Sequence, residues 1–327
     1  MMNKQKIVAL ELKNIGEDVD LSKYESLGDF ERYETTPLVL IPERIRDADI
    51  VIMNKLPMNE ETLKGAEKLK LICETATGTD NIDVAYCKSK GISVCNVKGY
   101  STANVVQHTF AAFFYVYEKL RHYDDYVKLG KYAESDIFTY FDKKFHELAG
   151  KTWGIVGLGE IGRGVARVAS AFGCIVVYYS TSGKNNNDEY ERVEFDALLS
   201  KSDIISIHAP LNDNTRYLFS SDAFAKMKPS AFLINMGRGP IVDESALVEA
   251  LKAHKIAGAA LDVIAKEPMA KDSVLLSFMK EGGEDAERLF VTPHIAWASV
   301  EARQRLMDEV YLNIEAFLKG EKRNNVS

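Results

Sequence analysis

Residues 152–173 read TWGIVGLGEIGRGVARVASAFG: a short apolar run, then Gly157-x-Gly159-x-x-Gly162, then an amphipathic stretch. Alone, three glycines at this spacing say little. Between a strand-like segment and a helix-like one they have a mechanical reading. Gly157 permits a tight turn, Gly159 lets the backbone approach a pyrophosphate, and Gly162 lets the helix pack against its strand. The helix N-terminus, beginning with Glu160 and Ile161, then faces the anion. The stretch predicts a strand–turn–helix unit of a dinucleotide-binding sheet.

Outward from it the same alternation continues. Strand-like runs at 152–156, 175–179, 204–207, 231–235, 256–261 and 289–291 are separated by helical patterns, the count for a complete dinucleotide-binding sheet. A second series lies upstream, at 6–10, 50–53, 69–73 and 92–95, with helices expected at 42–48 and 82–90. Long helical patterns at 102–121 and 300–319 flank the six-strand module. We therefore expect an α/β protein with two doubly wound, parallel-sheet (Rossmann-like) domains and a cleft between them. The expected division is a discontinuous substrate domain, 1–102 with 297–327, and a dinucleotide-binding domain, 103–296.

Composition narrows the class. The chain has 327 residues, 46% hydrophobic and 27% charged, with 41 basic and 48 acidic residues and a net charge of -7. An acidic balance argues against nucleic acid or an anionic membrane as partner. No apolar run approaches the ~20 residues that span a bilayer, and the N-terminal run is too short and charged for a signal peptide. Cys73, Cys87, Cys95 and Cys174 show no CxxC spacing, and no His/Cys/Asp cluster has metal-ligand spacing. A cytoplasmic protein without disulfides or bound metal is expected.

The end of the second strand departs from the dinucleotide pattern. An acid there would bind the adenosine ribose 2′-hydroxyl, yet the sequence reads Ser180-Thr181-Ser182-Gly183-Lys184. Hydroxyls with Lys184 suit a 2′-phosphate, and Ser180 and Thr181 suit a free ribose equally. NAD and NADP both remain open.

Three polar residues follow consecutive strands: Arg238 in "AFLINMGRGP", Glu267 in "AGAALDVIAKEP" and His294 in "LFVTPHIAW". Strand C-termini line the ligand crevice of a doubly wound sheet, so these three should converge. Together with "DIISIHAPLNDNTRYLF" and "TATGTDNID", these pieces make the chain resemble the D-isomer-specific 2-hydroxyacid dehydrogenases over nearly its whole length. Its "PHIAWAS" and the helix-like "EARQRLMDEVYLNIEAFLKGE" are most similar to the glycerate dehydrogenase (hydroxypyruvate reductase) branch.

The resemblance implies hydride transfer between NAD(P)H and a small 2-keto acid, most like hydroxypyruvate and D-glycerate. His294 would be the general acid, Glu267 would orient it, and Arg238 would clamp the substrate's carboxylate and keto oxygen. It further implies that Thr77 and Gly78, with Thr79, bind the substrate carboxylate through backbone N–H groups. Lys55 and Trp297 would also border the substrate. His208, Ala209, Pro210 and Thr215 would form the adenosine and pyrophosphate wall, and Thr102, Asn235, Met236, Asp262 and Ala296 would lie near the nicotinamide. A homodimer is implied as well. The other outcomes kept open are phosphoglycerate dehydrogenase or a further branch of the family, and an NADH-sensing, corepressor-like binding protein. Two features expected to be structural are His108 and the aromatic stripe Phe110, Phe113, Phe114 and Tyr117.

Overall fold

The computed structural model describes residues 4–327. The chain forms two compact units, one running to Ser101 and resuming at Ala298–Ser327, the other Thr102–Trp297.

The first unit holds five strands, β1 (Gln5–Ala9), β2 (Gly28–Arg32), β3 (Ile50–Met53), β4 (Leu71–Glu74) and β5 (Ser93–Cys95), in the order β2-β1-β3-β4-β5. Every pairing is parallel. The inner strands are mainly apolar because both faces are covered, as β3 "IVIM" shows with all four residues buried. β2 is the strand that the hydrophobic pattern misses. Its sequence, GDFER, carries three charges, which an edge strand tolerates on its open side. Gly28 is required there, since a Cβ would stand 2.2 Å from the Gln5 carbonyl oxygen. The helix expected at 42–48 is a single turn, Ile41–Arg44, although Ile45 and Ala48 are fully buried beyond it.

The second unit holds β6 (Thr152–Val156), β7 (Ile175–Tyr179), β8 (Glu191–Arg192), β9 (Ile204–Ile207), β10 (Phe232–Asn235), β11 (Gly258–Leu261) and β12 (Leu289–Val291). Their order is β12-β11-β10-β9-β6-β7-β8, again all parallel, so the winding reverses between β6 and β9. Ligands bind at such a switch point. The two-residue edge strand β8 adds to the six expected.

Apolar clusters cover both faces of this sheet. On one face Trp153 is fully buried, with its ring centroid 4.9 Å from Phe110 and 5.1 Å from Phe113. The aromatic stripe of the helix Thr102–Tyr117 is thus core packing. That helix stops earlier than expected, because Lys119 takes a left-handed backbone (φ 58) and a new helix starts at Leu120. Lys119 lays its ammonium 5.7 Å from the Phe232 ring. Among the described residues no helix is long and apolar enough to cross a membrane.

Candidate active site

The glycine loop adopts the geometry its spacing predicts. Gly157 has φ 91, and a Cβ on it would stand 3.0 Å from the backbone of Ala209. A Cβ on Gly162 would stand 2.3 Å from the Gly157 carbonyl, so the helix Glu160–Ala171 lies directly on the turn. Before Gly159 there is open space, with no described residue beyond its chain neighbours within 4 Å of where its Cβ would be. Open space before a helix N-terminus is what a pyrophosphate needs.

His208 gives independent support. Both ring nitrogens are buried without a hydrogen-bond partner among the described residues, and burial pushes the imidazole down to about 3. Buried polar groups are nearly always satisfied, so an orphaned imidazole beside the glycine turn marks a place for ligand polar atoms. The residues present fit a dinucleotide. Thr215 is fully buried and its hydroxyl is committed to the turn, donating to Pro210 O (2.8 Å) and accepting from Asn212 N (2.8 Å). It shapes the wall through the backbone.

Beyond β7, Ser180 is buried, and its hydroxyl accepts from Asn185 N at 3.3 Å while the loop folds back. Thr181 is half-buried and Lys184 exposed. Arg192, which no local pattern singles out, donates to Gly183 O (3.0 Å) and Asn186 Oδ1 (3.1 Å). The loop where an acid would select NAD therefore carries hydroxyls and Lys184, with Arg192 of β8 bonded to it.

The three loops after β10, β11 and β12 are neighbours because their strands are. Asn235 pairs in register with Leu261, and Leu261 with Val291. Asn235 is fully buried and sets the first loop, accepting from Gly237 N (3.0 Å) and donating to Arg238 O (2.9 Å). Gly239 then lies against the second loop, where a Cβ would stand 1.9 Å from the Ile264 carbonyl carbon. The Arg238 side chain is half-buried, with Nη1 donating to Gly237 O at 2.9 Å.

Glu267 Oε2 and His294 Nδ1 are 2.7 Å apart, and Glu267 Oε1 accepts from Ile264 N at 3.1 Å. The carboxylate thus holds the proton on Nδ1 and leaves Nε2 for other chemistry. His294 has φ 55, a strained backbone for a residue with a side chain. The strain is held by Asp262. Its carbonyl accepts from His294 N (2.9 Å), and its carboxylate accepts from Ile295 N (2.8 Å), Ala296 N (2.9 Å) and Thr292 Oγ1 (2.6 Å). Asp262 is 2% exposed, and its carboxylate ties the His294 loop to the end of β11. His108 Nε2 backs the same group, 3.1 Å from Thr292 Oγ1. Asn104, a further residue not foreseen, donates to Ala296 O (2.5 Å). Met236 and Ala296 are buried, and Thr102 and Trp297 half-buried.

In the first unit, the loop after β4 carries Thr77, Gly78 and Thr79. Their three consecutive amides donate to no group among the described residues. The Thr77 hydroxyl donates to Val97 O (2.8 Å), so the backbone is what the loop offers a ligand. Lys55 is exposed, and its own amide, with those of Asn54 and Leu56, donates to Glu11 Oε2 at 2.8–3.1 Å.

Residues 110–296 match the family model described as D-isomer specific 2-hydroxyacid dehydrogenase, NAD binding domain. The chain is 36% identical to a glycerate dehydrogenase of Methylorubrum extorquens, covering 98% of this chain and 99% of that one. It is 38% identical to a hydroxypyruvate reductase of Blautia hydrogenotrophica, covering 95% of each. Among solved structures, an NADPH-dependent glyoxylate/hydroxypyruvate reductase from Sinorhizobium meliloti, in complex with NADP and malonate, superposes with a TM-score of 0.83. That match is at 26% identity over 99% of this chain and 97% of the other. The chain belongs to the D-isomer-specific 2-hydroxyacid dehydrogenases, and is an oxidoreductase that uses NAD or NADP.

Proposed function

We propose that the protein reduces a small 2-keto acid to its D-2-hydroxy acid, with hydroxypyruvate and D-glycerate the preferred pair. The observation that carries this reading is the 2.7 Å contact between Glu267 and His294 Nδ1. A ring held at Nδ1 by a carboxylate presents Nε2 as a proton donor, which is what a developing alkoxide needs. The relatives named glycerate dehydrogenase and hydroxypyruvate reductase support the choice of substrate.

The bound dinucleotide would supply the hydride. It would be held by the turn Gly157–Gly162, the His208–Pro210 wall and the Ser180–Thr181 loop. Arg238 would clamp the carboxylate and keto oxygen, orienting the carbon and drawing charge to the oxygen. The free amides of Thr77, Gly78 and Thr79 would bind the substrate carboxylate. His294 would deliver the proton and recover it from solvent, to which its side chain is 26% exposed. The direct test is a panel of hydroxypyruvate, glyoxylate, pyruvate and 2-ketoisocaproate with NADH and NADPH. If none of them turned over, the proposal would be lost.

We also propose a cytoplasmic homodimer. All four cysteines are free thiols, compatible with a reducing compartment. Exposed apolar side chains crowd one segment of the second unit, with Leu129 70%, Phe138 87% and Phe141 84% exposed. A patch of this kind is covered in a stable protein, here by a second copy. Sedimentation of the protein and of a Phe138→Glu/Phe141→Glu variant tests it, the variant being expected as monomer.

A further inference from the structure

Three asparagines in the first unit are joined through side chain and backbone, Asn313 and Asn324 holding the backbone of Asn96. Asn324 Nδ2 donates to Asn313 Oδ1 at 2.9 Å, and Asn313 Nδ2 donates to Asn96 O at 3.1 Å. Asn96 Nδ2 donates to Thr77 O at 2.6 Å. Asn96 N closes the path by donating to Asn324 O at 3.2 Å. Asn313 is 1% exposed and Asn96 3%, so these bonds work in a low-dielectric setting, and the Asn96 Oδ1, buried without a partner among the described residues, leaves Nδ2 on Thr77 O as the bond its side chain makes.

The Asn96 side chain holds the peptide between Thr77 and Gly78. That peptide is planar and trans, so whatever fixes its carbonyl fixes its N–H on the opposite edge. Asn96 Nδ2 on Thr77 O therefore aims the Gly78 N–H. The neighbouring peptide is treated alike, since Val97 N donates to Ala76 O at 3.0 Å and so aims the Thr77 N–H. Both aimed amides are among the three left without a partner.

We propose that Asn96, its backbone held by Asn313 and Asn324, is a positioning residue that pre-aims the Gly78 amide at the substrate's carboxylate. The inference rests on the reading of Thr77–Thr79 as the carboxylate loop. An amide aimed before binding spends no ordering free energy when the anion arrives, so the device acts on substrate affinity. It leaves dinucleotide binding alone.

Kinetics on the full chain with hydroxypyruvate and saturating NADH, or NADPH if that is preferred, test the proposal. Asn96→Ala should raise KM about 10- to 100-fold, the effect of misaiming one hydrogen bond to a charged group. The kcat should stay within about threefold and the dinucleotide Kd should not move, the pattern of lost uniform binding. Asn96→Asp, which sets a carboxylate against the Thr77 carbonyl, should be at least as severe. Asn324→Gly removes the far amide while keeping a backbone suited to φ 51, and should raise KM by a few-fold in the same direction. If Asn96→Ala fails to fold, Asn324→Gly decides. An unchanged KM in these variants overturns the proposal. Gly78→Pro, which deletes the amide itself, separates the two layers. If it raises KM while Asn96→Ala does not, the positioning role is wrong. If it leaves KM unchanged, the loop does not bind the carboxylate and both fall.

Discussion

Glu74, the last residue of β4, is fully buried. Asn81 Nδ2 donates to Oε2 at 3.3 Å, and Oε1 has no partner among the described residues. Glu11 and Asp80 oppose its charge, Lys55 favours it, and burial dominates, pushing the carboxyl from 4.5 up to about 9. The sign follows from linkage. The folded state keeps this proton to about pH 9, whereas the unfolded chain releases it near 4.5. Through that window the folded state binds the extra proton, so stability falls as pH rises, by about 1.4 kcal/mol per unit from this group. At pH 7 the accumulated cost is about 3 kcal/mol. Glu74→Gln keeps the shape and removes the titration. Its new NH2 meets the spot where Oε1 is unpaired, a pH-independent cost of about 1–3 kcal/mol. The variant should therefore be equal to or weaker than the parent near pH 5 and should gain on it by about 1.4 kcal/mol for each unit toward pH 8. The two units need not unfold together, and both tryptophans, Trp153 and Trp297, belong to the second. Hydrogen exchange of peptides covering β3 and β4 is accordingly the assay, corrected for the intrinsic pH dependence of exchange. Parallel stability curves for parent and variant from pH 5.5 to 8.5 would refute the reasoning.

His294→Gln should lower kcat by about 10²- to 10⁴-fold, the worth of a general acid, while NADH titration shows cofactor binding retained. Gly239→Ala drives a methyl into the Ile264 carbonyl, so the loop carrying Glu267 must move. We expect a loss of about 1–3 kcal/mol or more in chemical denaturation and about 100-fold in kcat. The imidazole of His208 is held neutral down to about pH 3 while the unfolded chain protonates near 6.5. Stability of the second unit should therefore fall as pH drops below 6.5, by about 1.4 kcal/mol per unit. His208→Gln should flatten that limb in tryptophan fluorescence. The hydroxyl and cation lining beyond β7 predicts a kcat/KM ratio for NADH over NADPH below about a thousandfold, and a larger ratio would show that some other group selects the cofactor.

What the sequence made legible is what local periodicity records. Continuous apolar runs separated by helical spacing dictate covered parallel strands, and the glycine spacing dictates the turn at Gly157. GDFER hides β2 because an edge strand with one open side can carry charge on nearly every residue. The break at Lys119 is hidden because nothing in "YEKLRHY" forbids helix; a ring on a strand far along the chain is where its ammonium ends up. At the site, Arg238, Glu267 and His294 are visible because each follows a strand. Asp262 is visible too, but its contacts to residues 292–296 are not. Arg192 and Asn96 carry no local signal; they matter only through chain brought to them by the sheet.

The hidden contacts share one geometry. Parallel strands end side by side, about 4.8 Å apart, so a side chain just past one strand reaches the backbone leaving its neighbour. Glu11, past β1, takes three amides of the loop leaving β3. Asn96, past β5, holds the carbonyl of Thr77 on the loop leaving β4. Asp262, past β11, takes two amides and a hydroxyl of the loop leaving β12. The holders lie 19 to 45 residues from the backbone they take, beyond the reach of any local pattern. Loops held this way are set in place before any ligand arrives. Against that background the free amides at 77–79 and the orphaned imidazole of His208 stand out, and they are the groups for which a substrate carboxylate and a dinucleotide provide the missing partners.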